Sequence, residues 1–171
     1  MNWSAMASHR ILTASGSLLL CATFAWSVHA QAPAAAEEAG LKAARQAIET
    51  RQAVYKLIGN NFRVLGDVAK GSTKYDAADL KKRIALVVFL SDMLDDAFPD
   101  ISNLGEPETK TKPDAWTNRA DFEKRLKDLH EHAVVLAQLD ARELGPTEAF
   151  KANVTALAQD CKGCHDTYRA K

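Results

Sequence analysis

Phe150, Val154, Leu157, Cys161, Cys164 and Tyr168 recur at intervals of four, three, four, three and four, a rhythm that places all six on one face of an α-helix. Two of the six are cysteines, and they open the run Cys161-Lys162-Gly163-Cys164-His165. Cys-x-x-Cys-His is the attachment signature of a c-type haem: each thiol can add to one vinyl group, and the imidazole that follows reaches the iron. Because both thiols continue a core-facing stripe, the macrocycle has to be enclosed by helices that come earlier in the chain. That requirement constrains the fold more than any other feature.

Other chemistries for the motif fit less well. A structural zinc site takes about four ligands, and Cys21 is the only other cysteine. A thioredoxin-like pair would follow a strand in a βαβ unit, and no segment combines alternating polarity with Val, Ile and Thr enrichment. A chance occurrence on a surface helix is the remaining alternative.

Three more stripes precede the motif. Leu41, Ala44, Ile48, Arg51, Tyr55, Ile58, Phe62 and Leu65 form the first, and Gly71 ends it. Asp76 is placed to cap the next helix, whose stripe is Leu80, Ile84, Val87, Ser91 and Leu94. A long polar connection, 99–118, holds Pro107, Pro113 and Trp116. Phe122, Leu126, Leu129, Ala133 and Leu136 mark the third helix. Gly145-Pro146-Thr147 breaks the chain before the fourth, with Thr147 as cap. The spacing predicts an all-α, antiparallel four-helix bundle with haem in its core.

The N-terminus reads as a targeting segment. Residues 1–10 carry one basic residue and no acid, 11–26 are mostly apolar, and Val28-His29-Ala30 resembles a small-residue cleavage site. This predicts a secretory signal peptide over 1–30 and a single mature domain over 31–171. The apolar run is short for a membrane span, which needs about 20 residues. Cleavage would leave Cys161 and Cys164 as the only cysteines, so no disulfide framework supports the fold. The chain has 22 basic and 22 acidic residues. Removing Arg10 leaves 21 against 22, a charge of −1, with no footprint for nucleic acid. Export together with covalent haem predicts a periplasmic protein.

Arg51 interrupts an apolar face, and a buried charge is costly unless it is paired. Haem brings two carboxylates into such a core, and a guanidinium grips a carboxylate with parallel charge-assisted hydrogen bonds. Gln52 can add a donor from the flank. The alternative is that Arg51 reaches the bundle rim or pairs with Glu49 or another acid. Tyr55 follows one turn later on the same face. Met93, the only methionine after residue 30, lies two residues off its stripe and reads as padding. His130 and His132 flank the third stripe and read as solvent-facing. The reading that results is a five-coordinate iron with an aromatic ring over its open side.

These segments resemble the cytochrome c′ family, the class II c-type cytochromes. The resemblance rests on Arg51-Gln52-Ala53-Val54-Tyr55, Tyr75-Asp76-Ala77-Ala78, Lys112-Pro113-Asp114-Ala115-Trp116 and the segment Cys161 to Arg169, and it covers essentially the whole chain after residue 30. It implies a periplasmic four-helix bundle, often a homodimer packed through its first two helices, with one covalent haem c. It implies Cys161 and Cys164 as attachment sites, His165 as proximal iron ligand and Arg51 and Gln52 at propionate-contacting positions. Tyr55 would be the distal residue over iron, and Arg169 would lie beside the proximal pocket. Low-spin relatives of the cytochrome c-556 type place methionine where this chain has Tyr55. The loop 99–118 departs from the family pattern, and no haem contacts are carried onto it.

Two functions are compatible with these residues. One is a gas-binding haemoprotein taking nitric oxide, with carbon monoxide second, through the open coordination position. The other is a six-coordinate, low-spin carrier of single electrons between periplasmic redox partners. Catalysis has little support, because no acid–base pair for O–O cleavage accompanies Arg51 and Tyr55.

Overall fold

The computed structural model describes residues 31–171, so the expected signal segment lies outside the described residues. Five helices follow one another: α1 (Gln31–Ala69), α2 (Ala77–Asp92), α3 (Asp114–Thr117), α4 (Arg119–Ala137) and α5 (Glu148–Tyr168). α3 is a single turn; the other four make the four-helix bundle. The packing described below belongs to the compact unit 36–171. Among the described residues, the only strand-like pairing is an isolated bridge between Thr111 and Arg169. No described helix is long and apolar enough to cross a membrane.

The stripes read from spacing become the core with limited revision. All five positions marked on α4 are buried, as are Leu80, Ile84, Val87, Ser91 and Leu94 of the second stripe. On α1 the face drifts: Leu41 is exposed, while Val54 and Val68 join the core. A straight α-helix departs by about 20° per heptad from a strict seven-residue repeat, which over 39 residues moves the buried seam onto neighbouring positions. The outward side of α4 is laced by Arg119–Glu123, Arg125–Asp121, Lys124–Asp128 and Lys127–Glu131 at (i, i+4) spacing. Exposed pairs of this kind are screened by solvent and contribute little to stability.

Both expected caps are present. Asp76 Oδ1 accepts the Asp79 N–H at 2.8 Å, and Thr147 Oγ1 accepts the Phe150 N–H at 3.3 Å. Gly71, at φ +68°, turns the chain out of α1. Gly145 is the tighter position. Its φ is +118°, and a Cβ there would stand 2.4 Å from Cζ of Tyr75. Gly145→Ala is expected to cost about 1–3 kcal/mol through the backbone conformation alone. Thermal unfolding should show the loss, and adding Tyr75→Ala should restore only the steric part.

The connection after α2 differs from the plain polar loop expected. It contains a 3₁₀ turn, Asp100–Ser102, as well as α3. Ser102, Thr109 and Ala115 are buried within it. Its far end is fastened to the C-terminal end of α5: the Lys112 N–H donates to the Tyr168 carbonyl at 2.9 Å, and the Ala170 N–H donates to the Lys110 carbonyl at 2.8 Å. This fastening places the loop beside the cysteine motif.

Candidate functional site

A cavity of about 410 Å³ opens between α1, the loop and α5, within the range typical of small-molecule sites, roughly 300–1,000 Å³. Arg51, Gln52, Tyr55 and Lys56 line it from α1. Phe98 and Thr109 to Thr111 come from the connection, Phe122 from α4, and Cys164, His165, Tyr168 and Arg169 from α5 and its end. The structure therefore brings Arg51, Gln52, Tyr55, Cys164, His165 and Arg169 to one cavity. Cys161 is not part of that lining, but it packs with Cys164 against the same hydrophobic core. The α-helix sets the two thiols three residues apart on one face, and His165 follows directly.

Arg51 is 1% exposed and has no carboxylate partner among the described residues. Its Nη1 donates to Ser102 Oγ at 2.7 Å; its Nη2 donates to the Ser102 carbonyl at 3.3 Å and to Thr109 Oγ1 at 3.0 Å. The guanidinium carbon lies 5.0 Å from the centre of the Phe98 ring and 5.6 Å from that of Trp116. Neither the rim position nor the Glu49 pairing is what the fold adopts. All three acceptors are neutral, and Nε with one Nη1 hydrogen has no hydrogen-bond partner among the described residues. Burial pulls the guanidinium below its ordinary pKa, opposed by Tyr55. A buried cation held only by neutral oxygens, beside a cavity, is a site prepared for an anionic group.

Phe98 is the hub of the aromatic packing, and spacing did not identify it because it follows the last turn of the second stripe. Its ring meets Tyr55 at 6.3 Å, Trp116 at 6.2 Å and Phe122 at 4.7 Å, each edge-to-face, and Phe122 meets Tyr168 at 5.0 Å. Its carbonyl accepts from Trp116 Nε1 at 3.3 Å and from Arg119 Nη1 at 2.9 Å. These bonds fix the ring between Arg51 and the cavity. The only available signal was the apolar Ala97-Phe98 pair after Asp95-Asp96, which carries no periodicity.

Burial raises the Tyr55 phenol far above its ordinary pKa, with the two cysteines adding to the effect, so the ring is neutral. The Cys164 thiol is pushed up to about 11, again mainly by burial. Burial, assisted by Arg169, lowers His165 and favours the neutral imidazole that a metal requires. Behind the motif, Tyr168 donates to Asp121 Oδ2 at 2.6 Å, and Arg125 Nε donates to the same oxygen at 2.7 Å. This triad ties the last turn of α5 to α4. Gln52 and Arg169 are exposed at the cavity edge, and the Arg169 N–H donates to the His165 carbonyl at 3.2 Å.

His130 and His132 differ from the solvent-facing reading. Both are half-buried: His130 Nδ1 is 3.0 Å from Ser91 Oγ, and His132 Nδ1 is 2.7 Å from Asp160 Oδ2. Each satisfies a polar group on a neighbouring helix. Neither lines the cavity.

The donor set fits a haem c: two thiols on one helical face, an adjacent neutral imidazole, and a buried guanidinium with donors to spare. Comparison with known proteins gives the same answer. A sequence model of the family described as Cytochrome C′ matches residues 46–169. Cytochrome c′ from Rubrivivax gelatinosus is 36% identical over 126 residues, 73% of this chain and 95% of that protein. Cytochrome c-556 from Agrobacterium tumefaciens (strain II Chrys) is 33% identical over 125 residues, covering 72% and 97%. A nitric oxide complex of a variant cytochrome c prime from Alcaligenes xylosoxidans superposes with a TM-score of 0.65 at 27% identity, covering 75% of this chain and 97% of that one.

Proposed function

Given that this chain belongs to the cytochrome c′ family, we propose that it is an exported haemoprotein that binds nitric oxide or carbon monoxide at an open iron position beneath Tyr55. The family's cofactor is covalently attached haem c, and the cysteines it requires are present. In this reading Cys161 and Cys164 carry the thioether bonds, and neutral His165 donates a nitrogen lone pair to the iron. Arg51 gives its spare Nε and Nη1 hydrogens to a propionate while Ser102 and Thr109 hold the guanidinium plane. Gln52 and Arg169, exposed at the cavity edge, would border the macrocycle.

What the bound group supplies is a metal with one coordination position free for a diatomic ligand. The observation that carries the proposal is the composition of the cavity wall. His165 is the only imidazole in it, no methionine belongs to it, and Tyr55, which α1 contributes beside Arg51, Gln52 and Lys56, is a neutral phenol. Met93 is 43% exposed on the outer side of the bundle. Away from the guanidinium, Tyr55 and Phe98 would offer the iron position mainly aromatic ring surface, which suits a small uncharged ligand.

The rival reading, a low-spin carrier, has support in the relatives named cytochrome c-556. The two separate spectroscopically. The ferrous protein should show a broad Soret band without a sharp α band, and Tyr55→Met should shift it toward a low-spin spectrum. A sharp α band in the unaltered protein would favour the carrier. Export follows in this proposal from residues 1–30. A homodimer would use the exposed apolar side chains Leu57 of α1, Leu86 and Phe89 of α2 and Met93 just after it, and sedimentation equilibrium tests it through Phe89→Glu.

A further inference from the structure

Three acid–base pairs flank the cysteine motif among the described residues: Asp160 with His132, Asp166 with Lys162, and Asp121 with Arg125. Only the last is bonded to a side chain of the cavity wall. Tyr168 is 2% exposed, lines the cavity and meets Phe122 edge-to-face. Its hydroxyl donates to Asp121 Oδ2 at 2.6 Å and accepts from Asn118 Nδ2 at 3.1 Å. Arg125 Nε donates to the same Asp121 oxygen at 2.7 Å.

Arg125 also reaches the motif directly. Its guanidinium carbon lies 5.8 Å from the centre of the Tyr168 ring. Its Nη1 would stand 3.1 Å from a Cβ at Gly163, the residue before Cys164. The guanidinium therefore covers the turn between the two thiols from the α4 side, while the haem cavity opens elsewhere along α5. The hydrogen bond from Tyr168 and the adjacent guanidinium hold the Asp121 carboxyl below its ordinary range, so both charges of the pair are present. A cation and an anion thus stand at the attachment turn, the cation in contact with it and the anion held one step back through Tyr168.

From this we propose that Arg125 and Asp121 are positioning residues that set the iron's reduction potential with opposite signs, Arg125 favouring the ferrous form and Asp121 the ferric. The inference rests on the haem reading above and adds how the electron affinity of that site is set. An electron added at the iron is stabilised by a nearby cation and opposed by a nearby anion. Both side chains are about one-third exposed, so solvent and salt reduce the effect without abolishing it. A purely structural role gives a different pattern. Loosening the end of α5 admits water, which favours the more highly charged ferric state whichever partner is removed.

Spectroelectrochemical titration of the holoprotein at low ionic strength and fixed pH separates the two. Asp121→Asn keeps an oxygen acceptor for Tyr168 and Arg125 and removes only the charge. It should raise the ferrous-to-ferric ratio at a fixed applied potential by about threefold. Arg125→Gln should lower that ratio by about threefold, and Arg125→Lys should restore most of it. Both shifts should shrink in 1 M salt, where screening acts over about 3 Å. Lys124→Gln and Asp128→Asn make the same charge changes in a neighbouring exposed pair and should move the ratio by less than about 1.5-fold. Shifts of one sign in Asp121→Asn and Arg125→Gln, unmoved potentials, or equal shifts in the Lys124 and Asp128 variants would overturn the proposal. Should Arg125→Gln fail to mature, the sign of the Asp121→Asn shift alone decides, since charge removal raises the ratio and loosening lowers it. Mass and the Soret band of the same samples report the haem. Haem-free protein would defeat the underlying functional reading, whereas haem-loaded protein with unmoved potentials would defeat only the role of this pair.

Discussion

Arg51→Met is expected to act with opposite sign on the protein with and without haem. Without haem, the guanidinium is buried among neutral acceptors at Ser102 and Thr109 and two aromatic rings, and it carries a desolvation cost that nothing anionic offsets. Replacing such an uncompensated charge with an apolar side chain of similar length removes that cost and is expected to be neutral or stabilising. Both hydroxyls keep other partners, because Ser102 Oγ donates to the Pro99 carbonyl and Thr109 Oγ1 donates to Thr111 Oγ1. With haem bound, the same substitution removes the cation facing a propionate and should destabilise by about 3 kcal/mol, the lower range for breaking a buried pair. Urea unfolding of both forms, followed by circular dichroism, measures the two effects. Equal destabilisation of both forms would mean that Arg51 serves only the packing of the loop.

The second large effect is all-or-none. Cys161→Ser/Cys164→Ser protein, produced in a host competent in cytochrome maturation, should have the mass of the polypeptide alone after denaturation, and acidified acetone should extract any residual haem. Either single variant should retain one covalent link. Haem that survives extraction from the double variant would place the attachment elsewhere. Burial holds both thiols in the protonated form, so the pair is unreactive toward casual oxidation until the vinyl groups are presented.

Much of this architecture could be read residue by residue. The stripes on α2 and α4, the caps at Asp76 and Thr147 and the phase of Cys161 and Cys164 with Phe150, Val154 and Leu157 all follow from contacts three or four residues apart. Arg51 was legible as an anomaly for the same reason, since a charge in an apolar stripe requires an explanation. The surroundings of Arg51 were not. Ser102 and Thr109 lie 51 and 58 residues away in a segment without periodicity, and nothing in Thr109-Lys110-Thr111 predicts its pairing with Arg169. Phe98 follows the final turn of its stripe, where helical spacing no longer constrains direction.

Local order therefore specified four helices, the face on which sulfur and imidazole sit, and the need for an interior prosthetic group. The shape of the cavity wall and the neutral cradle of the guanidinium came from packing between distant segments. Helical periodicity is imposed by bonds to near neighbours and so is written along the chain. A loop takes its path from the surfaces it closes against, and those exist only once the helices have assembled.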